Sequence, residues 1–197
     1  LTLRRVTLPA LLPFALPALR RKYPSLQLFL VEDLTERLVA SLRDGALDIA
    51  MIALPFETPG LEAFPLKDDP FVVAAPKDHP LMKAKSVTAE DVQAEKLILL
   101  RDGHCLRDHA LSACGVRAAR HGDGFEATSL MTLVQMVDNG LGVTLLPQMS
   151  IDRGLLKGTG LASRPLTGDA PPREIALVWR KGTLRRREFE MLGKEFK

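Results

Sequence analysis

The two cysteines of this 197-residue chain, Cys105 and Cys114, lie in one short stretch that also holds His104 and His109, two of the four histidines. Thiols are the side chains best suited to react with oxidants, because a thiolate is the nucleophile that attacks an O–O or S–S bond. The stretch from 102 to 115, Asp-Gly-His-Cys-Leu-Arg-Asp-His-Ala-Leu-Ser-Ala-Cys-Gly, is therefore the candidate reactive segment, called here the two-cysteine segment.

The two-cysteine segment has the pattern of a short helix. Asp102 and Gly103 are suited to a helix start, and Gly115 is a natural stop. Cys105 then lies in the first turn, where the backbone N–H groups and the helix dipole favour a thiolate, and Cys114 lies in the last turn. Three small or apolar residues are placed to face a core: Leu106, Ala110 and Ala113.

Helix geometry keeps the two thiols apart. Over nine residues a helix rises roughly 13 Å, and nine steps of about 100° place Cys105 and Cys114 on opposite faces. A disulfide needs alpha carbons within about 7 Å of each other. The pair is therefore either two unrelated thiols or a switch whose bond can form only if the helix unwinds.

Composition indicates an ordinary globular protein. Hydrophobic residues make up 46% of the chain, enough to bury a core in one domain or in two lobes. The apolar run at 8–19 is interrupted by Pro9, Pro13 and Pro17, so no spanning helix is expected, and the low cysteine count favours a reducing cytoplasm. A net charge of +3 is too small to indicate a nucleic-acid surface, and the arginines at 185–187 are followed by glutamates, as on a solvated helix face.

The first third of the chain alternates strands and helices. Strands are predicted at 26–31 and 47–53, with a helix at 33–44 between them, a pattern typical of a doubly wound parallel sheet. A strand at 61–65 and an acidic turn at 67–70 follow, then an apolar strand at 71–75. A lobe boundary is therefore predicted near Asp69.

The alternation begins again beyond this boundary. Thr128 and Ser129 are predicted to cap a helix that ends at Asn139 and Gly140. A Gly-rich and Pro-rich connection is expected after Pro147. The remaining predicted elements are a helix at 88–92, strands at 97–100, 125–128, 143–146 and 175–179, and a helix at 184–196.

Two runs carry a family resemblance. Residues 127–137, Ala-Thr-Ser-Leu onward to Met-Val, and residues 140–147, Gly-Leu-Gly-Val-Thr-Leu-Leu-Pro, resemble the effector domain of LysR-type transcriptional regulators. With the two-cysteine segment before them, the chain resembles the peroxide-sensing, OxyR-type members. The resemblance implies an α/β fold of two Rossmann-like lobes of periplasmic-binding-protein type II, joined by two crossover strands. Lobe I would comprise 1–69 and 172–197, and lobe II, with the switch, 70–171.

The resemblance also implies roles for single residues. Cys105 matches the peroxidatic cysteine, which hydrogen peroxide oxidises, and Cys114 the resolving cysteine. Thr35 and Arg180 match peroxide-site residues, and His104 is expected to support the thiolate. The family implies homodimers or homotetramers, DNA binding through an N-terminal winged helix-turn-helix, reduction by a cellular dithiol and no cofactor.

Three alternatives remain open at this point. The domain can sense a small carboxylate in the cleft, with Thr128 and Ser129 as ligand candidates. It can be a metal sensor, since Cys105 and His109 share a helix face. Three further candidate ligands are near in sequence: His104, Cys114 and His121. No Cys-x-x-Cys is present, however, and no metal site is predicted. It can be an enzyme, since a thiol reacts with peroxide. Formation of one disulfide for each peroxide that reacts is, however, the behaviour of a sensor.

Overall fold

The computed structural model describes residues 2–7, 17, 19–115, 126–168 and 172–196. The chain divides into two compact units: unit 1 comprises Leu1–Asp68 and Arg173–Lys197, and unit 2 comprises Asp69–Pro172. None of the helices within the described ranges is long and apolar enough to cross a membrane.

Unit 1 is built on a sheet flanked by helices. Its strand order is β2-β1-β3-β11-β4. The strands are β1 (Thr2–Thr7), β2 (Gln27–Leu30), β3 (Ile49–Leu54), β4 (Leu61–Asp69) and β11 (Arg173–Arg180), and the helices are α1 (Thr35–Arg43) and α6 (Arg186–Lys194).

The sheet of unit 1 is mixed: the parallel pairing predicted for the strands of the first third is confirmed, and one antiparallel strand joins them. Strand β1 pairs in parallel with β2 and β3, but β11 pairs with β3 in the antiparallel sense. The reason is that β11 enters this sheet only after the chain has passed through unit 2. The register of β1 shifts between Leu3 and Val6, where two arginines interrupt the apolar pattern.

Helix α1 confirms the helix predicted at 33–44. Leu38 and Leu42 are buried on its inner face against β3 and β11. The helix is followed by Gly45 at φ +76°, a conformation that glycine adopts without strain. At the other end of the chain, Phe189 of α6 packs on the indole of Trp179, with ring centroids 5.5 Å apart.

Unit 2 has the second sheet, with strand order β6-β10-β5-β9, and a short pair β7-β8. Its strands are β5 (Phe71–Pro76), β6 (Val87–Thr88), β7 (Leu99–Leu100), β8 (Glu126–Ala127), β9 (Thr144–Pro147) and β10 (Leu161–Thr167). Its helices are α2 (Ala89–Gln93), α3 (Cys105–Ala113), α4 (Leu130–Asp138) and α5 (Gln148–Asp152), with a 3-10 turn at Pro80–Lys83.

Strand β5 divides the core of unit 2 into two clusters. Successive side chains of a strand point to opposite faces, and here Val73 and Ala75 join the cluster that contains α3. Val72 and Ala74 join the cluster that contains α4. The buried end of the two-cysteine segment, from Ala110 to Cys114, thereby packs on one face of the sheet, whereas Leu106 also packs against the cluster of α4.

Two further predictions are wrong: the turn before Pro70 and the connection after Pro147. The acidic stretch before Pro70 continues β4 as far as Asp69, because the Asp69 carboxylate is buried and accepts the backbone N–H of Met149 at 2.8 Å. The stretch read as a connection after Pro147 contains β10, in which Arg164 pairs with the backbone of β5 and donates to the carbonyl of Met82 at 2.6 Å.

Candidate functional site

Helix α3 places the two cysteines at its opposite ends. Cys105 is its first helical residue and Cys114 is its C-cap, so the expected first-turn and last-turn positions are confirmed. Asp102 and Gly103 precede the helix as expected, but neither is the cap: His104 is the N-cap, and it makes no side-chain capping bond. The predicted stop is confirmed, with Gly115 at φ +62° directly after Cys114.

The two thiols differ in their exposure to solvent. Cys105 is half-buried, whereas Cys114 is fully buried within the core cluster of α3. Burial raises the pKa of the Cys114 thiol from 9.0 to about 11, because the thiolate is poorly solvated there. No disulfide joins Cys105 to Cys114 in this structure.

The N-terminal end of α3 is held by a buried arginine, Arg107. Its Nε donates to the Asp102 carboxylate at 2.8 Å, and its Nη1 lies 3.3 Å from the Glu126 carboxylate. Nη1 also donates to the carbonyl of Leu100 at 3.1 Å. These contacts fix the first turn of α3, and with it Cys105, to strands β7 and β8.

The contacts of Arg107 explain why Asp102 does not cap the helix. The Asp102 carboxylate faces the guanidinium of Arg107 and is not placed on the first N–H groups of α3. Two residues later, the carbonyl of His104 accepts the N–H of Arg107 at 2.8 Å, which begins the helix.

Among the residues that the structure describes, one side-chain donor holds the C-terminal end of α3. Nε2 of Gln93, the last residue of α2, donates to the carbonyl of Cys114 at 2.6 Å, across 21 residues of sequence. The N–H of Cys114 donates to the carbonyl of Ala110, one turn earlier in the helix, at 3.2 Å. Sequence reasoning missed Gln93 because no local pattern signals so distant a partner.

Between its ends, α3 is fixed by packing. Ala110 and Ala113 are buried, and Leu106 is half-buried against the same core, as the apolar spacing predicts. Their neighbours in this cluster include Val92 of α2. The small alanines let α3 approach the sheet closely, so the helix cannot shift as a whole without opening this core.

Ser129 and Thr128 lie in unit 2 before α4. The Ser129 hydroxyl is the N-cap of α4: its Oγ accepts the N–H of Thr132 at 3.2 Å and lies 3.0 Å from the Thr132 hydroxyl. Thr128 is exposed. The predicted cap is therefore confirmed for Ser129, while a ligand at either residue stays a prediction.

Thr35 and Arg180 belong to unit 1. Thr35 is the first residue of α1 and is buried. Nη1 of Arg180, at the end of β11, donates to the carbonyls of Leu42 and Leu47, at 2.5 and 3.2 Å, and so secures the C-terminal end of α1. This contact gives Arg180 a structural role, and the part of both residues in binding peroxide stays a prediction.

Metal binding finds no support among the described residues, where no three His, Cys, Asp or Glu side chains are grouped to hold an ion. His109 is buried on α3, four residues after Cys105. His121, the further ligand of the metal-sensor alternative, lies outside the described residues.

Comparison with known proteins places the chain in a family. The model of the LysR substrate binding domain matches residues 5–194. The hydrogen peroxide-inducible genes activator of Pectobacterium carotovorum is 41% identical over 185 residues, which are 94% of this chain and 61% of that protein. The chain thus spans about three fifths of the length of this relative.

Solved structures agree with this placement. A cysteine variant of Corynebacterium glutamicum OxyR, bound to H₂O₂, superposes with a TM-score of 0.90 at 34% identity, covering 99% of this chain and 63% of that one. The reduced regulatory domain of OxyR2 from Vibrio vulnificus gives a TM-score of 0.87 at 37% identity, covering 99% and 93%. The α/β fold of periplasmic-binding-protein type II is therefore confirmed, and the chain belongs to the LysR-type family as a regulatory domain of the OxyR type.

Proposed function

We propose that this chain is the regulatory domain of a hydrogen-peroxide-responsive transcription factor, with Cys105 as the peroxidatic and Cys114 as the resolving cysteine. One observation carries the proposal: a single nine-residue helix separates a solvent-accessible thiol from a fully buried one. An OxyR variant of the same fold binds H₂O₂, which supports peroxide as the oxidant.

The first chemical step takes place at Cys105. Its thiolate attacks one oxygen of hydrogen peroxide, the O–O bond breaks, and the departing hydroxide takes up a proton to become water. Sulfur is oxidised to a sulfenic acid and the peroxide is reduced. The first-turn position supports this step, because the N-terminal N–H groups of a helix stabilise an anion.

The second step joins the two cysteines. The Cys114 sulfur attacks the Cys105 sulfur, the S–O bond breaks, and hydroxide leaves with the thiol proton as water. In sum, two thiols and one peroxide give one disulfide and two waters. A cellular dithiol reverses the oxidation by thiol–disulfide exchange.

Geometry makes the second step a conformational change. The ends of α3 are roughly 13 Å apart along the axis, and a disulfide needs alpha carbons within about 7 Å. Cys114 is fully buried, so its thiol must leave the core before it can attack the sulfur of Cys105. Oxidation therefore unwinds part of α3 and changes the surface that unit 2 presents.

The supporting residues are part of the proposal. His104 adjoins Cys105 as the N-cap and can help to stabilise the thiolate. Thr35 is proposed to orient the peroxide by a hydrogen bond, and Arg180 to stabilise the leaving oxygen. The proposal assigns no ligand to Thr128 or Ser129.

The whole regulator is proposed from its relatives, because this chain spans about three fifths of their length. DNA binding is expected through an N-terminal winged helix-turn-helix, in a homodimer or homotetramer located in the cytoplasm. The disulfide is the signal that passes from this domain to the rest of the protein.

Counting thiols during a peroxide titration tests the proposal. One equivalent of peroxide is expected to consume both thiols of the chain. Cys114→Ser is expected to hold a sulfenic acid at Cys105, trapped by dimedone, and Cys105→Ser to keep its remaining thiol. Oxidation of Cys114 in Cys105→Ser at the wild-type rate would contradict the assigned roles.

A further inference from the structure

Gln93 touches the resolving cysteine from outside the two-cysteine segment. It is the last residue of α2, a short helix whose N-terminus is secured by a capping box between Thr88 and Asp91. Val92, its neighbour, is fully buried against α3. Gln93 is thus presented from a fixed support, and its amide donates to the Cys114 carbonyl at 2.6 Å.

This hydrogen bond supplies a donor for a carbonyl that has no partner within α3. The last four carbonyls of a helix have no intrahelical partner, and Cys114 is the C-cap of α3. The amide of Gln93 satisfies the carbonyl of the very residue that must move to form the disulfide. A side chain added at Gly115 would lie 3.7 Å from Nε2 of Gln93, which places this amide directly on the turn that ends the helix.

The geometry points to Gln93 as a positioning residue that retains Cys114 at the end of α3 and thereby slows closure of the disulfide. This inference rests on the proposed function. In the closure step the Cys114 sulfur attacks the sulfur of the Cys105 sulfenic acid and the S–O bond breaks. The departing hydroxide takes the thiol proton and leaves as water. The carbonyl of Cys114 must part from Gln93 before the two sulfurs can meet.

The size of the effect follows from the opening equilibrium. If the end of α3 opens and recloses faster than the disulfide forms, the closure rate is proportional to the opened fraction. A hydrogen bond of ordinary net strength changes such an equilibrium about fivefold. Oxidation of Cys105 by peroxide precedes opening, so its rate is independent of Gln93.

Two substitutions separate the hydrogen bond from the shape of the side chain. Gln93→Ala removes the whole side chain beyond Cβ. Gln93→Glu keeps its shape but replaces the donor by a carboxylate, which cannot donate and which repels the negative end of the helix. The matched control is Asn139→Ala, because Nδ2 of Asn139 donates to the carbonyl of Gln135 at 2.8 Å at the end of α4.

The experiment measures the two steps separately in the 197-residue chain. Rapid mixing with peroxide in the Cys114→Ser background, with dimedone trapping, gives the rate of sulfenic acid formation. Acid quenching and mass spectrometry of the chain with both cysteines give the rate of closure. Gln93→Ala is expected to close about fivefold faster. Gln93→Glu is expected to close at least as fast as Gln93→Ala, with an unchanged first step in both, and Asn139→Ala is expected to behave as wild type.

The outcomes distinguish this inference from the function on which it rests. A wild-type chain that forms a disulfide, with Gln93→Ala closing at the same rate, overturns the role of Gln93 alone. An equal acceleration by Asn139→Ala, or an equal change in the first step, also overturns it, since either indicates general loosening. A wild-type chain that forms no disulfide overturns the proposed function and this inference together.

Discussion

The N-terminal end of α3 is held by a buried arginine with three acceptors, whereas its C-terminal end is held, within the part of the chain that the structure describes, by the amide of Gln93 and by the packing of a buried thiol. Arg107 ties the first turn to Asp102, Glu126 and Leu100. The amide of Gln93 donates to the carbonyl of Cys114. We therefore expect the end with the accessible thiol to be held more firmly and α3 to unwind from the buried thiol.

This difference suits the proposed order of events. A reactive thiolate benefits from a fixed helix end, because ordered N–H groups stabilise its charge before peroxide arrives. A resolving cysteine benefits from a helix end that can be released. One helix meets both needs because different contacts hold its two ends.

The largest expected difference between the two ends is in thiol accessibility. In the reduced, folded chain, N-ethylmaleimide is expected to label half-buried Cys105 at least about a hundredfold faster than fully buried Cys114, whose labelling requires local opening. Mass spectrometry of timed, quenched samples measures both rates. Similar rates in the folded chain, with equal labelling in denaturant as the control, would remove the basis of the comparison.

A smaller difference is expected in stability. Arg107→Leu is expected to lower the free energy of unfolding by about 2 kcal/mol, because it leaves the buried carbonyl of Leu100 without this donor. Gln93→Ala is expected to lower the free energy of unfolding by about 1 kcal/mol or less. Urea unfolding in the presence of a reductant measures both. Equal losses would mean that the two ends are held equally.

The sequence indicated the position of α3 but not what holds its ends. Gly115 and the spacing of Ala110 and Ala113 are local signals, and all three were interpreted correctly. Asp102 is suited to a helix start, but local patterns cannot show that Arg107 binds its carboxylate and that His104 becomes the N-cap.

The same limit applies elsewhere in the fold. Strand β10 was missed because Arg164 and Pro165 interrupt its apolar pattern, and its pairing with β5, distant in sequence, cannot be read locally. The contact of Gln93 with the end of α3 also spans a long stretch of sequence. Contacts between distant residues are thus what sequence analysis lacked, both in the sheet and at the site.

The buried thiol at the C-terminal end of α3 also makes the stability of the chain depend on pH. The folded chain holds the Cys114 proton up to a pKa of about 11, whereas the unfolded chain releases it near the ordinary value of 9.0. Between these values the unfolded state binds fewer protons, so stability falls as pH rises. The loss is expected to reach about 2 kcal/mol by pH 11, and the contribution is fully present below pH 8.

Cys114→Ala provides the reference for this effect. It lacks the titrating thiol, so its free energy of unfolding is expected to fall less steeply with pH than that of the wild-type chain. Urea unfolding at a series of pH values between 8 and 11 measures the difference. Parallel profiles would show that burial does not hold the Cys114 proton.

Peptide mapping tests the central claim most directly, because the chain offers suitable cleavage sites. Arg101, Arg107 and Arg117 allow trypsin to release the two cysteines in separate peptides, 102–107 and 108–117. After about one equivalent of peroxide and alkylation of remaining thiols, we expect these two peptides to be joined by a disulfide that a reductant cleaves. Two separately alkylated peptides, as in the untreated chain, would contradict a switch between Cys105 and Cys114.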